Sequence, residues 1–464
     1  MSKSYKYSRR QFVGSLPCLA LGTTTLFSSL VNLKAINSLA ASTTMGDEYK
    51  ALVCILLNGG NDSYNMLVPR GQGEYQEYAN TRTNQAIAQD QLIPIDPNTS
   101  DGKTYGLHPE LTGVKRLFDQ GRLAFVNNVG TLIEPTTKGG IESQTARLPL
   151  GLLSHSDQVM HWQTGLPQDR SSLGWGGKMA DLLQEMNTNN GVSMNISLGG
   201  TNIFQRGNEV NEYAINNDGG VSVFGYNDAN PFFNLMTEDI NSMIDKQYED
   251  LFRDSYKNTL KRSIESNEAF NEAIDNAPML TTQFSNNNLS LDLQMVANTL
   301  AARDTLGAKR QIFFVQLGGF DNHDELLNRH GGLMNILDTA LSEFDNALGE
   351  LGLRDCVTTF TISDFARTLT SNGNGTDHAW GGNAIVMGGA VKGKDMYGIY
   401  PDLALNSSLE LGGGVLIPTT SADNYFAELA LWFGISPNDL SLILPNIGNF
   451  YSVSSGDAPL GFLI

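Results

Sequence analysis

Acidic side chains follow three apolar segments of this 464-residue chain, each at the point where the segment gives way to polar turn sequence. They are Asp62, Asp321 and Asp364, and a fourth polar turn carries His378 just before another apolar segment. In an open parallel sheet, groups beyond the carboxyl ends of the strands converge on one crevice. Carboxylates and imidazoles meeting there could hold a divalent cation (Zn, Ca, Mg or Mn), which would relieve their repulsion. The alternative for any single aspartate is a helix cap or a turn residue.

Histidine is scarce, with six in the whole chain. Two are expected to be structural: His108, which precedes a proline, and His330, which is expected to cap a long helix or lie on the surface. The other four lie in or beside the polar turn segments: His155, His161, His323 and His378.

The elements that would position these residues alternate between strands and helices. Continuous apolar runs are typical of parallel strands that are covered on both faces, and amphipathic spacing predicts helices. Over about residues 230–305 helical spacing replaces this alternation, which predicts a helical insertion. The sequence therefore predicts an α/β fold whose mostly parallel central sheet is sandwiched by helices. The predicted strands are 51–57, 123–129, 311–317, 356–362 and 383–387, and the predicted helices include 156–163, 333–351 and 421–433.

The amino terminus resembles an export signal. The segment Ser8-Arg9-Arg10-Gln11-Phe12, followed by a mild apolar run, is typical of the twin-arginine pathway, which carries folded proteins. Pro17 and Gly22 interrupt the run, which makes it too weak for a membrane span of about 20 strongly apolar residues. Small residues at Ser38 and Ala40 predict cleavage near position 40.

The predicted signal also determines the expected domain boundaries and compartment. Residues 1–42 are expected to be a signal peptide that engages the twin-arginine translocation machinery, and 43–464 a single domain. The mature protein is then periplasmic or secreted, without a stable membrane span.

The composition excludes one class of partner. The net charge is -19, and removing residues 1–42, with five basic residues and no acids, leaves -24. So acidic a body repels phosphate backbones, and nucleic-acid binding is not expected. Cys18 lies in the signal, while Cys54 and Cys356 lie in apolar runs and are expected to be buried thiols.

Several motifs follow the signal: Gly59-Gly60-Asn61-Asp62, a Gly-Gly-Phe-Asp-Asn-His turn at 318–323, Ser-Asp-Phe-Ala-Arg-Thr at 363–368, Thr-Asp-His-Ala-Trp-Gly-Gly at 376–382, and a tail at 419–434. Together they resemble the exported domain-of-unknown-function family 1501 over nearly the whole mature chain. That family is similar to the alkaline phosphatase and sulfatase superfamily, whose members hydrolyse phosphate or sulfate esters at a metal site. The resemblance implies an alkaline-phosphatase-like fold and an exported, metal-dependent hydrolase.

The superfamily pattern also implies metal ligands. Its acid-then-aspartate pair corresponds to Gln316 and Asp321, so the acid is an amide here, and its aspartate–histidine pair becomes Asp364-Phe365, which loses an imidazole. One metal position is therefore expected at Asp321, His323 and His378, and the second is damaged. The implied metal residues are Asp62, Asp321, His323, Asp364 and His378.

The implied nucleophile position is occupied by histidine. In the superfamily the nucleophile precedes a Thr-Gly pair by ten residues, and counting back from Thr164-Gly165 gives His155. His155 is expected to replace the lost ligand or the nucleophile itself, with Ser154 as the alternative nucleophile. An activated hydroxyl would need a nearby cation to lower its pKa.

Other side chains have two interpretations each. Arg367 could clamp an anionic oxygen of the ester through its planar guanidinium, or form a surface ion pair. Trp162 and Trp380 could stack on a sugar ligand, or pack in the core.

Two functions remain from the sequence. The first is a metal-dependent hydrolase of phosphate or sulfate esters. The second is a non-catalytic exported binding protein that retains the fold with a degraded metal site. Phe365, Gln316 and the absence of a serine or cysteine at position 155 favour it. A third interpretation is a one-metal hydrolase with different chemistry.

Overall fold

The computed structural model describes residues 48–188, 191–221, 223–227 and 230–463. The predicted export signal and its cleavage point lie outside these residues. The strands are β1 Lys50–Asn58, β2 Leu67–Pro69, β3 Ile93–Ile95, β4 Tyr105–Leu107, β5 Leu123–Gly130, β6 Asn195–Ser197, β7 Tyr213–Asn216, β8 Gly219–Gly220, β9 Arg310–Gly318, β10 Val357–Ser363, β11 Arg367–Ser371, β12 Thr376–His378, β13 Gly382–Met387, β14 Met396–Tyr397 and β15 Thr420–Ser421.

Helices cover the sheet and connect its strands. They are α1 Ser63–Met66, α2 Gln72–Arg82, α3 Thr112–Asp119, α4 Lys138–Glu142, α5 His155–Thr164, α6 Trp175–Leu183, α7 Asn234–Asp245, α8 Leu251–Asp275, α9 Asn288–Ala301, α10 Leu326–Glu350, α11 Ala422–Phe433 and α12 Leu440–Ile443. None of the helices in the described ranges has the length and apolar character that a membrane crossing requires.

The central sheet has ten strands in the order β14-β5-β13-β10-β1-β9-β6-β7-β8, with β15 beside β5. Its middle is parallel: β1 pairs with β10 on one side and with β9 on the other. Strand β13 runs antiparallel to both β10 and β5. The predicted α/β fold with a mostly parallel sheet is confirmed.

Both faces of the sheet are buried, which explains why its central strands are continuously apolar. In β1, Ala51, Val53 and Ile55 belong to the core on one face, and Leu52 and Cys54 to the core on the other. Helix α10 packs on the first face and α11 on the second. Because the middle of the sheet is packed on both faces, the ends of its strands are held in defined positions.

Sequence patterns located the central elements to within a few residues. The helix predicted at 156–163 is α5, and Gly165 ends it with a φ of 63°. Helix α11 begins after Ser421, whose hydroxyl accepts a hydrogen bond from the Asn424 N–H. Both described cysteines are free thiols; Cys54 is buried as predicted, whereas Cys356, also predicted to be buried, is half-buried.

One structural histidine lies elsewhere than expected. His330 neither caps α10 nor lies on the surface, because its side chain is buried inside that helix's packing face. Its Nε2 lies 3.0 Å from the Asn61 Oδ1, and its ring packs edge-on against His108, with ring centroids 5.5 Å apart. His330 therefore contacts the turn that follows β1, and His108 packs against His330.

This buried pair generates a pH dependence of stability. Burial lowers the pKa of His330 to about 3, with a smaller contribution from Arg82, and burial lowers that of His108 to about 3, helped by His330. Because both pKa values lie below 6.5, the neutral rings stabilise the folded state above pH 6.5. That stability is lost as pH falls, since the unfolded chain binds the protons.

We expect His330→Gln to reduce this pH dependence. Between pH 6.5 and 4.5 its free energy of unfolding should fall less steeply than that of the unsubstituted protein, by up to about 1.4 kcal/mol per pH unit. Urea unfolding at a series of pH values measures the slopes. Arg329→Gln, at the exposed neighbouring position, should keep the original slope. Equal slopes for His330→Gln and the unsubstituted protein would show that His330 is not a buried neutral group.

Candidate metal centre

The carboxyl ends of the central strands place the predicted residues at one edge of the sheet. Asp321 and His323 follow β9, and Asp364 follows β10. His378 ends β12, whose hairpin with β11 pairs His378 with Arg367. Because β9, β1 and β10 are parallel, these turns open toward the same side.

Four side chains meet there, and we call them the His–Asp cluster: His155, Asp321, His323 and His378. Ligand atoms of His155, Asp321 and His378 all lie within 4.8 Å of one another. The His155 Nε2 is 3.4 Å from the Asp321 Oδ2, and the His378 Nε2 is 3.3 Å from the Asp321 Oδ1. The His323 Nε2 lies 3.0 Å from the same Oδ1 and 3.1 Å from the His378 Nε2. Three imidazole nitrogens therefore converge on one carboxylate.

The other nitrogen of each ring faces an oxygen acceptor. The His155 Nδ1 lies 2.6 Å from the Asp364 Oδ2, the His323 Nδ1 lies 3.1 Å from the Asp377 Oδ1, and the His378 Nδ1 lies 2.9 Å from the Leu153 carbonyl. Each Nδ1 is therefore placed to donate its proton outward. In the neutral rings this leaves the Nε2 lone pairs pointing into the cluster.

This arrangement fits a cation. The buried His155 Nε2 has no hydrogen-bond partner, and two lone-pair nitrogens of His323 and His378 lie only 3.1 Å apart. Imidazole and carboxylate are ligands of zinc and other transition ions, whereas calcium and magnesium prefer oxygen ligands alone. Of the cations expected from the sequence, the donor set therefore favours zinc.

Asp364 supports the cluster from outside it. Its Oδ1 accepts a hydrogen bond from the Gly59 N–H at 2.9 Å, and its Oδ2 faces the His155 Nδ1. The carboxylate is buried. The structure thus places Asp364 behind His155, on the side of the ring away from Asp321, where it orients the imidazole.

Phe365 packs against two histidines of the cluster. Its ring centroid lies 4.7 Å from that of His155 and 4.5 Å from that of His378. Gly60, with a φ of 88°, passes directly beneath this ring, and a Cβ there would lie 2.6 Å from a ring carbon. The residue that stands where the resemblance expects a histidine therefore holds the existing imidazoles in place.

Arg367 is occupied by the protein itself. Its Nη1 donates to the Asp321 Oδ1 at 2.6 Å and to the Gly59 carbonyl at 3.3 Å, and its other nitrogens bond Thr376. The side chain is 0% exposed. This differs from both sequence interpretations, a substrate clamp and a surface ion pair. Burial alone would raise the pKa of Asp321, but the bond to Arg367 and its charge, with His323 and His155, lower it.

Asp62 lies in a separate buried pair. Its Oδ2 accepts a bond from the guanidinium of Arg82, and both side chains are buried. Within the described ranges no hydrogen bond or ion pair joins Asp62 to the His–Asp cluster. The carboxylate that the resemblance assigns to a metal is thus neutralised by arginine.

The remaining candidates lie at the margin or in the core. Ser154 precedes α5, and its exposed hydroxyl lies 3.2 Å from the Ser156 Oγ. Trp162 and Trp380 are both buried, and the Trp380 Nε1 donates to the Thr131 carbonyl, so neither ring offers a face to a sugar. His161 is also buried, and burial lowers its pKa to about 4.

Two contributors were not singled out from the sequence: Asp377 and the carbonyl of Leu153, which orient His323 and His378. Asp377 directly precedes His378, so the Thr-Asp-His motif contained a signal for it. Hydrogen bonding to Asn372, which outweighs burial, and to His323 lowers its pKa. No sequence pattern marks a backbone carbonyl.

Comparisons with known proteins identify a family. The profile of the family described as "Protein of unknown function (DUF1501)" matches residues 49–411. No curated protein matches the chain significantly.

Solved structures give distant similarities. The chain is similar to Ps i-CgsB in complex with k-i-k-neocarrahexaose (10% identity, 87% of this chain and 77% of that chain covered, TM-score 0.33). It is also similar to the PsFucS1 sulfatase from Pseudoalteromonas sp. (9%, 87% and 71%, 0.33) and to Thermus thermophilus alkaline phosphatase (12%, 69% and 60%, 0.28). At these scores, neither substrates nor residue roles transfer to this chain.

We expect Asp364→Asn to weaken cation binding without unfolding the protein. An asparagine can still accept the Gly59 N–H bond, but its amide does not hold the His155 Nδ1–H as a carboxylate does, so affinity for zinc should fall about 10- to 100-fold. Competition with a chromophoric chelator measures the affinity. Asp324→Asn, which alters an acid beside the cluster that bonds Asn374, is the matched control and should bind zinc normally. Unchanged affinity in Asp364→Asn would contradict the positioning role.

Proposed function

The chain belongs to the family described as Protein of unknown function (DUF1501), and we propose that it is an exported, metal-dependent hydrolase of phosphate or sulfate esters. The convergence of three imidazole Nε2 atoms on the Asp321 carboxylate carries this proposal. Asp321 is 45% exposed, so a substrate in solvent can reach the cluster. The ester class comes from the sequence resemblance.

His155, Asp321 and His378 would hold one divalent cation, and His323 adjoins them as a further donor. Bound there, the cation would act as a Lewis acid toward an ester oxygen. Asp364 holds the ring of His155, and Arg367 keeps Asp321 ionised and in place. These bonds fix the donors before a substrate arrives, so little reorganisation is required on binding.

Ser154 is the proposed nucleophile, since it directly precedes His155 and its hydroxyl is exposed. His155 itself is assigned to the cation, because its Nδ1 is held by Asp364 and its Nε2 faces Asp321. The superfamily's nucleophile position is therefore occupied by a ligand in this chain, and the hydroxyl beside it is the candidate that remains.

The compartment and the domain organisation belong to the same proposal. Residues 1–42 would direct export through the twin-arginine machinery, and 43–464 would form a single domain with a helical insertion. The helices α7, α8 and α9 occupy the predicted insertion.

A non-catalytic binding protein is the second candidate. Two observations favour it: Gln316 stands where the superfamily has an acid, and Arg367 is buried with four of its five N–H donors bound within the protein. A chain that holds the cation and binds small anions but turns over no ester would fit this function.

We expect the mature protein, purified from its export compartment, to contain about one equivalent of a divalent transition ion. His378→Ala should lose the ion and all ester hydrolysis, because the cluster loses a ligand, while Asp324→Asn should keep both. Elemental analysis per chain and assays with 4-nitrophenyl phosphate and sulfate measure the outcomes. A folded protein that contains no ion and takes up none on addition would exclude the hydrolase.

Ser154→Ala should retain the cation and lose at least about 100-fold in kcat, since removing a nucleophile affects the chemical step and not the ligands. Steady-state assays beside elemental analysis separate the two effects. Ser156→Ala, which removes the neighbouring hydroxyl, is the control and should remain active. Full activity in Ser154→Ala would exclude this serine as the nucleophile.

A further inference from the structure

We propose that the metal centre selects esters that carry a single negative charge, namely sulfate monoesters or phosphodiesters, over dianionic phosphate monoesters. The inference rests on the proposed function and specifies its substrate class. It follows from the charges that surround the His–Asp cluster.

The charge of the cluster is set by four ionised groups. Asp321 lies inside the cluster, and Asp364 and Asp377 hold two of its histidines from outside. Arg367 supplies one positive charge through its bond to Asp321. With the imidazoles neutral, the three carboxylates and the one guanidinium together contribute two net negative charges. One bound divalent cation would bring the total to zero. A loaded centre therefore has no surplus positive charge for a dianion.

The arginine cannot supply that charge to a substrate. Four of the five N–H donors of Arg367 are bound to Asp321, Gly59 and Thr376, and its side chain is 0% exposed.

The open side of the centre is acidic instead. The Asp321 side chain is 45% exposed and that of Asp377 is 61% exposed. The whole chain is also strongly acidic, with a net charge of -19. The carboxylates of Asp321 and Asp377 are already counted in the neutral sum, but they are the part of it that faces solvent, so each additional negative charge on an approaching substrate meets repulsion from this rim. A unit charge about 4 Å from a carboxylate in water changes binding about fivefold.

Equilibrium binding tests the inference without turnover. Phenylphosphonate and its monomethyl ester share an aryl group, resist hydrolysis and differ at pH 8 by one negative charge. On zinc-loaded protein, calorimetry should show the monoester bound at least about fivefold more tightly. Asp377→Asn should reduce the difference in affinity between the two ligands, since it removes an exposed negative charge from the rim. Asp324→Asn should change that difference less. Equal or tighter binding of the dianion would overturn the inference.

Turnover assays then distinguish the two classes of monoanionic ester, sulfate monoesters and phosphodiesters. 4-Nitrophenyl sulfate and methyl 4-nitrophenyl phosphate share a leaving group with 4-nitrophenyl phosphate, and at least one of the first two should have the higher kcat/KM. A higher kcat/KM for the phosphate monoester overturns the inference while leaving the hydrolase intact. Preferential binding of the monoanion without hydrolysis of any ester supports the charge selection and contradicts the hydrolase. Failure to bind zinc removes both.

Discussion

The facing of three imidazole Nε2 atoms toward one carboxylate is the interaction on which the rest of the site depends. Each ring donates its Nδ1 proton outward, to Asp364, to Asp377 or to the carbonyl of Leu153. In the neutral rings the inward nitrogens are then all acceptors, and they meet another acceptor, Asp321. Without a cation these groups repel one another, and with one they become a ligand set whose orientation is already fixed.

The frame that imposes this arrangement is the parallel middle of the sheet. Strands β9 and β10 flank β1 in matched register, so the turns that carry Asp321 and Asp364 end beside the Gly59-Gly60 turn. Glycine at position 60 lets Phe365 lie across the backbone, where its ring packs against His155 and His378. The orientation of the His155 and His378 rings thus derives from the turns that follow the strands and from aromatic packing within the protein itself.

Much of the site's location could be predicted from the sequence. Several apolar runs are followed by acids, and in a parallel sheet the carboxyl ends of the strands lie at the same edge, so these acids are expected to lie close together. That rule located Asp321, Asp364 and His378 at one edge. It could not distinguish a residue that would bind the cation directly from one that hydrogen-bonds such a residue. Asp364 was therefore expected to bind the metal, whereas its carboxylate lies behind His155. The pairing of Asp62 with Arg82, and the orientation of Arg367 into the protein, depend on tertiary packing that no local pattern encodes.

Anomalous scattering from crystals of the protein grown with zinc tests the proposed metal centre most directly. We expect a single strong peak within about 2.0–2.2 Å of the His155 Nε2, the His378 Nε2 and an Asp321 oxygen, with Asp364 outside bonding distance. The absence of a peak at the cluster, or a peak on Asp62 beside Arg82, would contradict it.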